Sequence, residues 1–229
     1  MIIDFVRHGH PNYRDDCLTE LGRLQAERAA ERLCTFGIEA IYSSTKGRAM
    51  QTAESTAKRL GLPIVPCDFM REIGWASADG EPILENGHPW RVSDALAAAG
   101  ESLADPNWRE REPYARSVIV DSARVVTEGF DAFLLSLGYR REGEFYRVVG
   151  EDTDRRIAVF SHGGSSSVVL SHLLSIPLPQ IFGSLHLDFT SITTVALSNT
   201  QGKLIYPHLV RANDAEHIKG IDTENVFGV

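Results

Sequence analysis

Short apolar runs alternate with segments of helical periodicity, and this alternation constrains the fold of the chain more than any other feature. Residues 1–7 form a mostly apolar run, typical of a strand buried on both faces of a parallel sheet. The run "LTELGRLQAERAAERLCTFG" then predicts a helix that stops at Gly37. "IEAIYSS" and "LPIVPC" predict strands on either side of the helix "KGRAMQTAESTAKRLG". The alternation therefore predicts right-handed βαβ units in an α/β fold.

The pattern loosens after Glu72. Gly, Pro, Asn and charged residues crowd the stretch from about 76 to 112, which has one helical patch at "RVSDALAAAG". A long amphipathic helix, "PYARSVIVDSARVVTEGFDAFLLSLG", and a hairpin that turns at Glu142-Gly143 follow it. We expect the region from about 76 to 150 to be an inserted cap over the edge of the sheet.

The last third of the chain returns to the core pattern. "RRIAVFSHGG" predicts a buried strand, "SSSVVLSHLLS" a helix, and "SITTVALSNT" and "KLIYPHLV" two antiparallel strands. No internal repeat or linker divides the 229 residues, so we predict a single domain over residues 1–229.

Composition excludes several classes of protein. A net charge of -8 disfavours nucleic acid, which needs a basic surface. No apolar run reaches the length of a membrane span, and "MIIDFV" lacks the pattern of a signal peptide, so a cytoplasmic location is expected. Cys17, Cys34 and Cys67 have no metal-site spacing and are expected to be small buried residues. The sequence indicates no oligomeric state.

Two histidines occupy equivalent places at the ends of predicted strands. His8 follows "IIDFV" and His162 follows "IAVFS", and Gly9 and Gly163 come directly after them. Open α/β sheets bind ligands at the carboxyl edge of their strands. A glycine at such a place lets a ligand approach the main-chain N–H groups. A lone histidine would be interpreted as a core residue, but the pair predicts a site.

Two arginines accompany these histidines. Arg7 precedes His8, and Arg48 lies near the start of the predicted helix in "YSSTKGRAMQTA". Guanidinium groups and a helix N-terminus aimed at one point suit a tetrahedral dianion such as phosphate. The sequence therefore predicts a ligand that carries a phosphoryl group.

Five motifs, in order and spacing, resemble those of the histidine phosphatase superfamily, in its phosphoglycerate-mutase-like branch. They are "VRHG", "LTELGRLQA", "YSSTKGRAMQTA", "MREIGWASADG" and "VFSHGG". The resemblance covers the sheet core at both ends of the chain, but not the region from 76 to 150 or the C-terminal tail. It implies a three-layer α/β/α sandwich with a mostly parallel central sheet and a largely helical cap.

The resemblance also implies roles for individual residues. His8 would be the nucleophile that accepts the phosphoryl group, and Glu72 the proton donor. Arg7, Arg48 and a protonated His162 would complete the phosphate pocket, with Gly9, His10 and Gly163 at the substrate. A small phosphomonoester is the expected partner, with no cofactor and no metal, because the arginines supply positive charge.

Some positions depart from the family pattern. His10 stands where relatives often carry a small polar residue or an acid, so it would contact substrate or fill the pocket rim. Family mutases have an "ERHYG"-like stretch near the acid, whereas "MREIGWASADG" resembles the phosphatase version and favours hydrolysis over transfer. Six residues of the cap could line a substrate pocket, although such aromatic residues more often form core: Trp75, His88, Trp90, Trp108, Arg109 and Tyr114.

Three alternatives stay open at the level of sequence. The pair His8 and His10 could belong to a metal-dependent hydrolase, although 229 residues are few for a (β/α)₈ barrel and Arg7 would stand beside the ion. The fold could bind a phosphorylated ligand without turning it over. A mutase would share the phosphohistidine and pass the phosphoryl group to a second acceptor.

Overall fold

A mixed six-stranded sheet forms the centre of the protein. The computed structural model describes residues 1–151 and 154–221. The strands in that part of the chain are β1 (Ile2–Arg7), β2 (Pro11–Asn12), β3 (Cys17–Leu18), β4 (Ala40–Ser43), β5 (Ile64–Pro66), β6 (Tyr139–Glu142), β7 (Phe145–Val148), β8 (Arg156–Ser161), β9 (Ile192–Ala196), β10 (Leu204–Ile205) and β11 (His208–Asp214). The α-helices there are α1 (Glu20–Leu33), α2 (Gly47–Leu60), α3 (Pro89–Ala98), α4 (Ile119–Ser136), α5 (Gly163–Leu174) and α6 (Leu178–Ser184).

The central sheet has the strand order β11-β9-β1-β8-β4-β5. β1, β8, β4 and β5 are parallel to one another, whereas β9 is antiparallel to both β1 and β11. β2 and β3 form a separate antiparallel pair. The predicted mostly parallel α/β sheet is therefore confirmed.

Both faces of the sheet are covered by helices because its strands alternate apolar side chains between the faces. Val6 and Phe160 belong to the apolar cluster that includes Leu33 of α1 and Ala53 of α2. Phe5, next to Val6, points to the opposite cluster, which contains residues of α4 and α5. This arrangement is the predicted three-layer sandwich.

Local signals explain the ends of the two helices on the first face. Thr19 caps α1 by accepting a hydrogen bond from the N–H of Gly22. α2 ends at Gly61, whose φ of 67° closes the helix in the left-handed region. The prediction that α1 stops at Gly37 was wrong, because its C-cap is Cys34, and Gly37 turns the chain in the loop beyond it.

The predicted cap from 76 to 150 divides into two parts of different character. Residues 74–118 contain one α-helix, α3, and three short 3-10 turns. α4 belongs to the core and not to a cap, since Phe130 is fully buried and its ring lies 5.9 Å from that of Phe5. The amphipathic pattern of α4 predicts one buried face. The sequence gives no signal of whether the sheet or a cap covers that face.

A second, three-stranded sheet lies beside the core. The predicted hairpin of β6 and β7 is present, with its turn at residues 143–144 instead of 142–143. β10 pairs with β7, so the segment predicted as one strand, "KLIYPHLV", is split between the two sheets. α6 was not predicted. Pro177 precedes this helix and Pro179 lies in its first turn.

Two expectations from composition can be compared with the structure. Cys67 is buried, and burial raises the pKa of its thiol to about 11, but Cys17 and Cys34 are only partly buried. No single helix in the described part of the chain is long and apolar enough to cross a bilayer. Taken together, α5 and α6 have the length and composition of a membrane span, but the two helices form a pair bent by 119°.

If α4 is a core helix, replacing Phe130 must destabilise the fold. Phe130→Ala should lower the free energy of unfolding by about 3–5 kcal/mol, because it removes a buried ring and leaves a cavity. Val125, which is 54% exposed on the same helix, is the matched control. Val125→Ala should change the free energy by about 0.5 kcal/mol or less. Urea denaturation measures both, and equal effects would contradict this assignment of α4.

Candidate active site

The two predicted histidines meet because β1 and β8 are parallel neighbours. Arg7 at the end of β1 lies opposite Ser161 at the end of β8, so His8 and His162 leave the sheet side by side. The N–H of His8 donates to the carbonyl of Ser161 at 2.9 Å. The two imidazole centroids are 5.1 Å apart. Positions 154 residues apart in sequence thus form one site.

His8 is held as a neutral imidazole with a defined tautomer. Its ring is 1% exposed, and Nδ1 lies 2.7 Å from the carbonyl oxygen of Gly9, which can only accept a hydrogen bond. The Nε–H of Arg48 donates to Nε2 of His8 at 3.3 Å. Burial, together with the positive charge of Arg7, holds the pKa of His8 well below its usual value. Nε2 therefore carries a lone pair.

Arg7 presents a desolvated guanidinium to the same point. Nη1 donates to the carbonyl of Leu187, and the guanidinium carbon lies 4.1 Å from the ring centroid of Phe189. Nε is buried and has no hydrogen-bond partner among the described residues. Burial lowers the pKa of Arg7, although an arginine keeps its charge in a protein. An unpartnered buried N–H beside two histidines suits an anion.

Arg48, the second residue of α2, is fixed by a carboxylate that sequence reasoning missed. Its Nη1 donates to Oδ1 of Asp16 at 2.5 Å, and the N–H of Gly47 donates to Oδ2 at 2.9 Å. A Cβ on Gly47 would lie 2.2 Å from the main-chain oxygen of Asp16, so the close approach requires glycine. Asp16 lies in an exposed loop, and no sequence pattern marks it.

His162 differs from its prediction in charge. It is fully buried, and Nε2 lies 2.8 Å from Oγ of Ser44, while Nδ1 has no partner among the described residues. Burial, with further contributions from His8, Arg48 and Arg7, holds the pKa of His162 well below its usual value. The imidazolium predicted for the phosphate-bound site is disfavoured in this structure, because a cation would be buried beside Arg7 and Arg48. Ser44, in "YSSTKGRAMQTA", was not singled out from the sequence.

Glu72 reaches the site from the loop after β5. Its Oε1 accepts hydrogen bonds from the N–H groups of Ile73 and Ser165, each at 3.1 Å. Burial raises the pKa of Glu72, and the charge of Arg7 offsets part of that shift. A Cβ on Gly164 would lie 2.6 Å from Oε1, so the second glycine of "SHGG" makes room for the carboxylate. The sequence analysis did not single out Gly164.

The remaining predicted residues have clear structural positions. His10 Nδ1 lies 2.9 Å from Oγ1 of Thr19, and its N–H donates to Oε1 of Gln25. The N–H of Gly9 donates to Thr52 Oγ1 at 3.0 Å, and a Cβ there would lie 2.6 Å from the oxygen of Gly22. His10 and Gly9 thus join the loop after β1 to α1 and α2.

The cap contributes one aromatic residue beside this site. A Cβ placed on Gly163 would lie 3.4 Å from the indole of Trp90 and 3.6 Å from Nε of Arg7. Trp90 therefore packs beside the glycine that follows His162. Trp108 and Tyr114 are instead buried against each other, with ring centroids 5.3 Å apart. Residues 1–151 and 154–221 contain no group of three His, Cys, Asp or Glu side chains that could hold a metal ion.

Comparison with known proteins defines the family. A family model described as the histidine phosphatase superfamily, branch 1, matches residues 3–119. The putative phosphoserine phosphatase 2 of Hydrogenobacter thermophilus is 23% identical over 88% of this chain and 92% of its own. A probable phosphoglycerate mutase of Yersinia pestis is 28% identical over 75% of this chain and 74% of its own. The native structure of a mycobacterial glucosyl-3-phosphoglycerate phosphatase has 26% identity and a TM-score of 0.64, covering 93% and 98% of the two chains.

The chain belongs to the histidine phosphatase superfamily. It is an enzyme of the phosphatase type, a phosphomonoester hydrolase with the phosphoglycerate-mutase-like fold. The resemblance inferred from the five motifs is thereby confirmed.

The contacts of Asp16 predict that it positions Arg48. Asp16→Asn should lower kcat/KM for p-nitrophenyl phosphate about five- to tenfold and weaken inhibition by inorganic phosphate, because one charge-assisted hydrogen bond is lost at a partly solvated site. The thermal midpoint should stay nearly constant. Asp15→Asn, one residue earlier and exposed, is the control and should behave as wild type. A similar loss in both variants would rule out a specific role.

Proposed function

We propose that the protein hydrolyses small phosphomonoesters through a phosphohistidine on His8, with Glu72 as general acid and base. One observation carries the proposal: His8 is held neutral, with Nδ1 against the Gly9 carbonyl and Nε2 directed at Arg48. Fixing Nδ1–H makes Nε2 the nucleophilic nitrogen. In this proposal the substrate also contacts Gly9, His10 and Gly163. The reaction uses no metal and no cofactor.

The first step transfers the phosphoryl group to the enzyme. Nε2 of His8 attacks phosphorus as the bond to the ester oxygen breaks, and the carboxyl proton of Glu72 moves to the departing oxygen. Arg7, Arg48 and His162 would hold the equatorial oxygens of the phosphoryl group, on which negative charge is spread. A dianion in the pocket would also favour protonation of His162.

The second step releases phosphate. The Glu72 carboxylate takes a proton from water, the water oxygen bonds to phosphorus, and the P–N bond to His8 breaks. The raised pKa of Glu72 supports both roles, because a group that titrates nearer to neutral pH can donate and recover a proton. Phosphoserine and glucosyl-3-phosphoglycerate are the first substrates to try, because relatives carry those names.

The direct test is turnover of p-nitrophenyl phosphate by wild type and by His8→Ala, each with and without EDTA. Wild type should turn over regardless of EDTA and, when quenched, should carry acid-labile phosphate. His8→Ala should lose at least about a thousandfold in rate, since the nucleophile is absent. EDTA-sensitive turnover, or a phosphoenzyme that persists in His8→Ala, would contradict the proposed intermediate.

The pH dependence should identify the acid. Because burial raises the pKa of Glu72, the carboxyl group stays protonated to a higher pH than an ordinary glutamic acid. The proton is lost as the pH rises through this raised pKa, so kcat/KM should fall on the alkaline side. The lowered pKa of His8 keeps the nucleophile neutral into the acidic range, so His8 should not limit the rate near pH 6. Glu72→Gln should remove the alkaline fall.

The leaving group supplies the control for Glu72. Glu72→Gln should slow an alkyl phosphate more than p-nitrophenyl phosphate, since an acid matters most for a basic leaving group. Equal slowing of both substrates would take Glu72 out of the acid role.

Phosphoryl transfer is a second candidate activity. The observation that favours it is the 28% identity to a probable phosphoglycerate mutase. Incubation with 3-phosphoglycerate separates the two: hydrolysis releases inorganic phosphate, whereas a mutase yields the 2-phospho isomer.

A further inference from the structure

A cavity of about 200 Å³ lies at the far end of α5 from His162. Its wall combines the cap loop around Trp108, α4, Arg141 of β6, and the last turns of α5 with the loop that follows. Ser171, which lines it, is nine residues beyond His162, or about 14 Å along the helix axis. The cavity is therefore separate from the phosphate pocket.

The charges around this cavity have one sign. Arg109 and Arg141 line it, and no aspartate or glutamate does. Neither arginine forms an ion pair within the described ranges, 1–151 and 154–221. Arg111, two residues from Arg109, shows the usual alternative, since it pairs with Glu101 at 2.7 Å and Asp105 at 2.8 Å. Two unpaired guanidinium groups at one cavity are notable in a chain of net charge -8.

Arg141 is held in place by neutral partners. Its Nε donates to the carbonyl of Gly143 at 2.7 Å, and Nη1 donates to the hydroxyl of Tyr146 at 2.7 Å and to the carbonyl of His172 at 3.0 Å. These bonds orient the group without neutralising it, and they leave Nη2 unused within the described chain. Asp131 is occupied by Tyr146 and His172, at 3.0 and 2.9 Å, and does not line the cavity.

Arg109 is supported by an aromatic ring. Its guanidinium carbon lies 4.6 Å from the ring centroid of Trp108, which is itself buried. Stacking of this kind positions an arginine while leaving its N–H groups directed outward. The remaining wall combines apolar side chains, among them Val168, Ile176 and Leu178, with the polar side chains of Thr127, Ser171, His172 and Ser175.

We propose that this cavity binds a small organic anion, with its carboxylate or phosphate group between Arg109 and Arg141 and its carbon atoms against the apolar side chains of the wall. Guanidinium groups bind both kinds of oxyanion through paired N–H donors. A volume of about 200 Å³ is below that of pockets for drug-sized ligands, so the ligand has only a few carbon atoms. The inference does not depend on the proposed catalytic mechanism.

Calorimetric titration with two probes, inorganic phosphate and succinate, tests the site. Wild type and Arg48→Gln, which weakens the catalytic pocket, should both bind at least one of the two probes at a site outside that pocket. Binding of phosphate alone assigns the ligand to the phosphate class, and binding of succinate alone assigns it to the carboxylates. If neither probe occupies a site outside the catalytic pocket, the proposal is wrong.

Arg109→Gln and Arg111→Gln form the matched pair for this titration. Both side chains are exposed, so neither change endangers the fold. Arg109→Gln should weaken binding at this cavity at least tenfold and leave basal turnover of p-nitrophenyl phosphate unchanged, whereas Arg111→Gln should leave both unchanged. Equal weakening by the two variants would show general attraction to a basic surface, and would overturn the proposal.

Discussion

Parallel pairing of β1 with β8 is the interaction on which the active site depends. It sets Arg7 opposite Ser161, so that His8 and His162 leave adjacent strands at the same edge. Because side chains alternate along a strand, a shift of one residue in this register would turn each apolar side chain to the other face. The two apolar clusters, one around Phe5 and the other around Val6, therefore hold the register and with it the distance between the histidines.

Burial then decides the chemistry that these residues can perform. In water a histidine is partly protonated near neutral pH, whereas His8 and His162 are both kept neutral by desolvation and by neighbouring guanidinium groups. The same desolvation acts in the opposite direction on Glu72 and raises the pKa of its carboxyl group. One buried environment thus favours a neutral nucleophile and a protonated acid together.

Residues outside the proposed reaction supply the positioning. Asp16 holds Arg48 and the first N–H of α2, and Ser44 holds His162. The glycines act by being small: Gly164 admits the Glu72 carboxylate and Gly47 admits the Asp16 backbone. At the other end of α5, the same helix forms part of a cavity with two unpaired arginines.

The sequence by itself determined the fold class, the strand ends that carry His8 and His162, and the two arginines, Arg7 and Arg48, that lie beside them, because hydrophobic periodicity and short motifs are local properties. Tertiary structure alone decided that α4 is a core helix, that Asp16 fixes Arg48, and that burial lowers the pKa of His162. Each of these depends on contacts between distant segments, such as Phe130 with Phe5, or on burial. The spacing of residues along the chain encodes neither long-range contacts nor burial. The sequence pattern that located the site therefore could not give the charge state of its residues.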